Sequence, residues 1–228
     1  MSQGRTIAIG DIHGCDTALA VVLEAISPTA DDLLIVLGDV IDRGPGTKQC
    51  IDRLIKLSLN CRLVHLMGNH EEMFLDTLSG GPWSQTWFQY GGLEMLDSYG
   101  GSIDRIPAEH LDFIRNGKDF FETDTHIFVH GFLRRSVPVD QESVQWLRWS
   151  RFQPSAAAHC SGKRVICGHT AQASGLPIGN AHYVCIDTCV YCPTGALSAL
   201  DVEANQLWRA TQSARIHEAQ PLAELLSG

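Results

Sequence analysis

Three short polar blocks, each placed at the end of an apolar run of strand length, fix most of what this chain can become. Gly10-Asp11-Ile12-His13-Gly14 follows Thr6 to Ile9, Gly38-Asp39-Val40-Ile41-Asp42-Arg43-Gly44 follows Leu33 to Leu37, and Gly68-Asn69-His70-Glu71 follows Leu63 to Met67. The runs are rich in branched apolar residues, as buried strands are. Helical spacing follows the first two blocks: Leu19, Val22, Leu23 and Ile26, then Ile51, Leu54 and Ile55, with Thr47 placed as an N-cap behind Pro45-Gly46. A βαβαβ order predicts parallel strands whose loops all leave at one carboxyl edge, where open α/β folds bind their ligands. Side chains far apart in sequence can therefore converge on one pocket.

The residue types at that edge are metal ligands. Carboxylate, imidazole and amide oxygen donors suit divalent first-row metals, and one carboxylate can bridge two of them. Asp39 in the middle block is the expected bridge, with Asp11 and His13 on one metal and Asn69, His130 and His169 on the other. His130 closes the run His126 to Val129, and His169 follows Val165 to Cys167, so both again stand at the exits of β-like segments. A metal pair clamps the attacking and leaving oxygens of an in-line phosphoryl displacement and supplies a metal-bound hydroxide as nucleophile. His70 sits beside a proposed ligand and is assigned instead as general acid, with Asp42 as the carboxylate that keeps it protonated. Arg43 offers the forked donors that match phosphate oxygens; Arg151 is the second candidate, Asn69 also faces the phosphate, and stacking on Trp146 or Trp149 is the competing reading of Arg151. A single Gly-Asp-x-His-Gly could be an ordinary turn; three ordered blocks with complementary ligands argue against coincidence.

The three blocks resemble the signature of the phosphoprotein phosphatase family of calcineurin-like metallophosphoesterases, over a span from Asp11 to about Asp201. The resemblance implies an α/β fold with a central β-sandwich of mixed sheets flanked by helices, the ligand set above, a His70 and Asp42 pair, and phosphate-binding arginines at Arg43 and Arg151. It carries most of the weight for His130 and His169. It implies a metal-dependent phosphomonoesterase, a serine/threonine protein phosphatase of the bacterial type, with two divalent ions, Mn2+ first and Fe, Zn or Ni as alternatives. Its partners would be a phosphorylated protein or a small phosphorylated substrate. The rival within the family is hydrolysis of diadenosine tetraphosphate: Asp42-Arg43 favours the protein phosphatase, and Gly44-Pro45-Gly46 pulls the other way. An inert metal-binding scaffold predicts a missing ligand or acid, and none is missing. Two departures touch the substrate mouth rather than the ligands: Cys189 after Ile186-Asp187-Thr188, and Phe132 after His130-Gly131.

Composition limits the remaining choices. With 228 residues, 44% of them hydrophobic, the chain can bury one sizeable core and reads as a single domain over 1–228. A net charge of −9 argues against duplex nucleic acid as a partner. The N-terminus reaches Asp11 too soon for a signal-peptide core, and no run approaches a membrane span, so a cytoplasmic location is expected. Eight cysteines then read as reduced thiols. The alternative is a zinc site of Cys185, Cys189 and Cys192 with Cys160 or Cys167. His65, His110, His126, His159, His182 and His217 read as core or surface residues. Segment 79–124, with Trp83, Trp87, Phe88, Tyr90 and Tyr99, reads as a helical cap-like insertion packed mostly on the core and placed to shape specificity. Tyr183 to Ile186, Leu197 to Asp201 and Gln206 to Ala210 read as strands of a second sheet, and 213–228 as a short surface helix or frayed tail.

Overall fold

The computed structural model describes residues 4–226. In chain order the strands are β1 (Thr6–Ile9), β2 (Leu33–Val36), β3 (Arg62–His65), β4 (Phe120–Glu122), β5 (His126–Val129), β6 (Arg164–Cys167), β7 (Ile178–Gly179), β8 (Tyr183–Cys185), β9 (Leu197–Asp201), β10 (Gln206–Ala210) and β11 (Ile216–Pro221). The helices are α1 (Asp16–Ile26), α2 (Thr47–Ser58), α3 (Asn69–Leu78), α4 (Ser84–Trp87), α5 (Leu93–Ser98), α6 (Ala108–Arg115), α7 (Val144–Trp149) and α8 (Leu222–Leu225). Two mixed sheets result, one ordered β11-β10-β9-β1-β2-β3 and the other β4-β5-β6-β8-β7. Within them β1, β2 and β3 run parallel, and so do β5, β6 and β8.

Alternation along the strands builds three apolar layers, because successive side chains leave a strand on opposite faces. Ile7, Ile9, Leu34 and Val36 pack outward on Leu19 and Val22 of α1 and on Ile51 and Leu54 of α2. Ala8, Ile35 and Leu37 point the other way and meet Phe128, Ile166 and Val184 between the sheets. Ile127, Val129, Val165 and Cys167 face Phe132, Leu147 and Phe152 beyond the second sheet. Burial on both faces explains why these strands read as unbroken apolar runs.

Several expectations change. Leu197–Asp201 and Gln206–Ala210 join the first sheet, β9 pairing antiparallel with β1, while only Tyr183–Cys185 belongs to the second. Periodicity reports that a segment is a strand but not which edge it pairs with. Residues 216–221 of the expected tail form edge strand β11 on β10, leaving α8 as the only helix there among the described residues. Thr47 is the first residue of α2 rather than its cap; its hydroxyl instead accepts from the Asp42 N–H at 3.2 Å. Cys189 and Cys192 form a disulfide, so the chain is not uniformly reduced. Cys185 Sγ donates to the Gly168 carbonyl, and no cysteine joins a metal-ligating group among the described residues. Nor is any helix among them long and apolar enough to cross a membrane.

The segment between α3 and β4 is helical, with a π-type turn at Phe88–Gly92, and it contributes Trp87, Met95, Tyr99, Ile106 and Ile114 to the helix-side core. β4, which ends the 79–124 segment, pairs with β5 and so belongs to the second sheet. The buried His110 ring ties α6 to α2, with Nε2 at 3.0 Å from Asp52 and Nδ1 at 2.8 Å from the Tyr99 hydroxyl.

His65 makes the core sensitive to pH. It is buried against Phe113, ring centroids 4.7 Å apart, and neither ring nitrogen has a hydrogen-bond partner. Burial pushes its pKa down to about 4. The unfolded chain takes up this proton near pH 6.5 and the folded chain does not, so the fold loses stability as pH falls through that window. We expect about 2 kcal/mol of the loss between pH 7 and pH 5 to vanish in His65→Leu, on the scale of 1.4 kcal/mol per pKa unit. Urea unfolding at the two pH values checks this; identical pH slopes in both proteins would contradict it.

Candidate active site

Six strands deliver one side chain each to a common edge. Asp11 lies beyond β1, Asp39 beyond β2, Asn69 beyond β3, His130 beyond β5 and His169 beyond β6, all as the sequence blocks place them, and Asp187 beyond β8 completes the series. With His13, Arg43, His70, Trp83, Tyr90, Trp149, Arg151 and Tyr191, most of these residues line a cavity of about 430 Å³. Asp11 and His130 stand behind that wall, buried.

Asp39 is the centre. Its Oδ2 lies 3.6 Å from His13 Nε2, 3.4 Å from His130 Nε2 and 4.0 Å from His70 Nε2. Two groups of potential metal donors share it: His13, Asp39 and His70, and Asp39, His130 and His169. Asn69 Oδ1 joins the second, 3.1 Å from His130 Nε2 and 2.8 Å from His169 Nδ1. Each of the three proposed histidine ligands uses its other nitrogen on a main-chain carbonyl: His13 Nδ1 on Ile41, His130 Nδ1 on Leu37 and His169 Nε2 on Trp149. Such bonds fix the tautomer and aim the remaining lone pair inward, as they do around bound metals.

Asp11 is less directly placed. Its Oδ2 accepts from the His169 N–H at 3.0 Å, while the buried Oδ1 has no hydrogen-bond partner. A Cβ at Gly168 would collide with that orphaned oxygen. An unpaired buried carboxylate oxygen is costly in protein alone and is what a cation would satisfy. Asp187, beside it, escaped the sequence reading because its local run carries no histidine or second acid; its one signal was the position at a strand exit.

Charge separates the histidines. Burial, aided by the neighbouring rings, holds His13 well below its ordinary range and takes His169 down to about 4; burial also depresses His130. His70 goes the other way: burial opposes its charge, but Asp39 and Asp42 outweigh burial and raise the pKa. Asp39 is itself pushed up by burial, yet His130, His70 and His13 bring it below the usual carboxylate range. Burial carries Asp187 up to about 6, with Asp39 adding to the effect, and raises Asp11 well above its ordinary value, with Asp187 and Asp39 contributing.

The His70 and Asp42 pair is formed: Nδ1 lies 2.7 Å from Asp42 Oδ2. Two further side chains hold these loops: Trp87, read from sequence only as part of the cap-like segment, and Glu71, which the sequence reading gave no role. Trp87 Nε1 donates to both Asp42 oxygens, at 3.0 and 3.1 Å, so a residue of the helical segment is part of the dyad rather than core filling alone. The Glu71 carboxylate accepts from the N–H groups of Gly68 and Asp39, both at 2.9 Å, of Val40 at 2.8 Å and of Ile41 at 3.4 Å.

Arg43 points into the cavity, its NH2 3.2 Å from His70 Nε2, and its N–H donates to the Gly91 carbonyl. Gly91 has φ 114°, and a Cβ there would strike the Arg43 backbone. Arg151 is exposed and lines the same cavity. It does not stack on a tryptophan: Arg134 lies over Trp146, and Trp149 is stacked on Trp83 at 4.9 Å.

The model of the calcineurin-like phosphoesterase family matches residues 4–175. Serine/threonine-protein phosphatase 1 of Salmonella typhimurium is 27% identical over 187 residues, 77% of this chain and 83% of that protein. The symmetrical bis(5'-nucleosyl)-tetraphosphatase of Janthinobacterium sp. is 30% identical over 126 residues, 55% of this chain and 42% of that protein. Among solved structures, a protein serine/threonine phosphatase from Saccharomyces cerevisiae superposes with a TM-score of 0.64 at 13% identity, covering 88% of this chain and 73% of that one, a likeness of fold.

Because four N–H groups converge on Glu71, Glu71→Gln leaves at least one donor facing an amide donor. We expect a loss of about 2–3 kcal/mol in denaturant unfolding, together with a ~10–100-fold weaker divalent-metal affinity by calorimetry. Unchanged metal affinity would show that the Asp39 loop holds its shape without this carboxylate.

Proposed function

The chain belongs to the calcineurin-like phosphoesterase family, and from that premise we propose that it is a two-metal phosphomonoesterase acting on phosphoserine or phosphothreonine in proteins. The observation that carries the reading is Asp39 standing between two donor groups, beside a hydrogen-bonded His70 and Asp42 pair. Family members use divalent metals, and the residues present fit a pair: Asp11, His13 and Asp39 for one ion, and Asp39, Asn69, His130 and His169 for the other. Bound there, the ions would lower the pKa of water and neutralise charge on the phosphoryl oxygens. Nitrogen and oxygen donors accept Mn2+, Fe, Zn and Ni alike, and Mn2+ is the ion taken first on the family resemblance.

The chain's own residues do the rest. Imidazoles whose pKa values are depressed are neutral at pH 7, the state a ligand needs, whereas Asp39 and Asp42 favour the charged form of His70, the form that can donate to the leaving oxygen. An Arg43 N–H on His70 Nε2 and a proton on that same atom exclude each other. When the Arg43 guanidinium turns to the phosphate, Nε2 is free to carry the proton, so binding the substrate prepares the acid. Arg151, exposed on the lining of the same cavity, would be a second phosphate contact, and Trp83 and Tyr90 form the wall at which the helical segment would select substrates.

Support for the protein phosphatase comes from the relative of which this chain spans most of the length; the tetraphosphatase match covers under half of that protein. Hydrolysis of diadenosine tetraphosphate remains the second reading, favoured by the aromatic cavity wall of Trp83, Tyr90 and Trp149, since aromatic rings stack on bases.

Phosphate release with added Mn2+ from phosphoserine and phosphothreonine peptides, a phosphotyrosine peptide and diadenosine tetraphosphate at equal concentration separates the two. We expect the first two peptides to be preferred and His70→Asn to lower kcat by ~10²–10⁴-fold. Preference for the dinucleotide would transfer the same site to an anhydride, and release that persists unchanged in His70→Asn would remove the assigned acid.

A further inference from the structure

The loop after Asp187 leaves the cavity wall and returns at Ala196. Its stem is closed by the Ala196 N–H donating to the Thr188 carbonyl at 3.1 Å and by the Thr188 hydroxyl donating to the Ala196 carbonyl at 2.5 Å. Its tip is closed by the Cys192 N–H on the Cys189 carbonyl, at 2.8 Å, and by the Cys189–Cys192 disulfide. Between the two cysteines stands Tyr191, half-buried, its ring 4.3 Å from the centre of the Arg43 guanidinium and edge-on to His13 at 5.0 Å.

Arg43 is half-buried. Among the described residues no carboxylate lies within ion-pair distance of it; its guanidinium is held by the Tyr191 ring and by His70 Nε2. A ring face orients the planar cation without neutralising it, which leaves its charge and donors for an anion. Cys192, half-buried, lines a second cavity of about 340 Å³ that shares Arg43 and Tyr191 with the first, whereas Cys189 is buried, so Cys192 is the cysteine on the side from which a small thiol would approach.

We propose that Tyr191 is a positioning residue for Arg43 and that the Cys189–Cys192 disulfide locks it in place, so that a dithiol reductant loosens the grip on phosphate. The inference rests on the reading of Arg43 as a phosphate-binding group. In the exchange a thiolate of the reductant attacks Cys192 Sγ and the S–S bond breaks to release the Cys189 thiolate. The second thiol of the reductant then displaces Cys192. The reductant ends as its own disulfide, and its two electrons and two protons reside on Cys189 and Cys192 as thiols.

Calorimetric titration of the full Mn2+-loaded chain with inorganic phosphate tests this, alongside kcat and KM. Tyr191→Leu should weaken phosphate about fivefold and raise KM to match with kcat nearly unchanged, a loss of the cation–π size; Tyr191→Phe, which keeps the ring, should restore both. Dithiothreitol should reproduce the Tyr191→Leu values in the wild type, in step with alkylation of two further thiols by mass, and should change nothing in a Cys189→Ser/Cys192→Ser chain. Equal phosphate affinity in Tyr191→Leu and wild type would overturn the positioning role. A dithiothreitol effect of the same size in the double variant would overturn the lock and point to metal chelation. If the wild type releases no phosphate from any substrate, the hydrolase reading fails while the phosphate titration still decides this one.

Discussion

One buried carboxylate holds the site together. Glu71, in the first turn of α3, receives N–H groups from its own block at Gly68 and from the Asp39, Val40 and Ile41 stretch that follows β2. The exchange is reciprocal, because Asp39 Oδ1 accepts the N–H of His70 at 3.0 Å. Burying this acid is expensive: desolvation, with Asp39 adding to it, pushes its pKa up to about 7, and the N–H groups of Val40 and Asp39 with nearby His70 offset part of that. These bonds reach one of the site's left-handed residues directly, Asp39. Asp39, Asp42 and Arg43 have φ of 46°, 71° and 65°, and His13 and His169 of 44° and 63°. Left-handed backbone at non-glycine residues costs of order 1–3 kcal/mol each, and it concentrates here because strand exits must turn sharply to bring ligands inward.

The larger frame explains why so few residues suffice. Parallel strands put every carboxyl end on one side, and stacking two sheets brings the exits of β1, β2 and β3 opposite those of β5, β6 and β8. Asp39 lies at the junction, which is how one carboxylate can serve ligand groups drawn from different blocks. The helical segment after α3 is tied into the same machinery by Trp87 on Asp42 and by the Gly91 carbonyl on Arg43. Its exposed rings and its buried ones thus have different tasks.

Much of this is written locally in the chain. Asp11, His13, Asp39, Asn69 and His70 sit in blocks where strand, turn and ligand signals coincide, and the parallel β1-β2-β3 part of the first sheet follows from the βαβαβ order. What stayed hidden depends on partners distant in sequence. Trp87 finds Asp42 only once the helical segment folds back, the pairing of β9 with β1 is a choice of edge that alternation does not encode, and Asp187 follows a run legible as a strand whose exit joins the other five only once β8 pairs with β6. Glu71 was visible as a letter in its block, but an acid that accepts main-chain N–H groups looks in sequence like any other first-turn glutamate. Cys189 and Cys192 were legible as a close pair within a candidate zinc group, while spacing alone does not say that the two are bonded to each other.

The decisive quantity is the number and coupling of metals around Asp39. Electron paramagnetic resonance of the Mn2+-loaded full chain, with metal content measured on the same sample, reads both at once. A shared carboxylate predicts two Mn2+ per chain with an exchange-coupled signal, and loss of the coupling in Asp39→Asn. A single uncoupled Mn2+ per chain in the wild type would contradict a two-metal centre built on this residue.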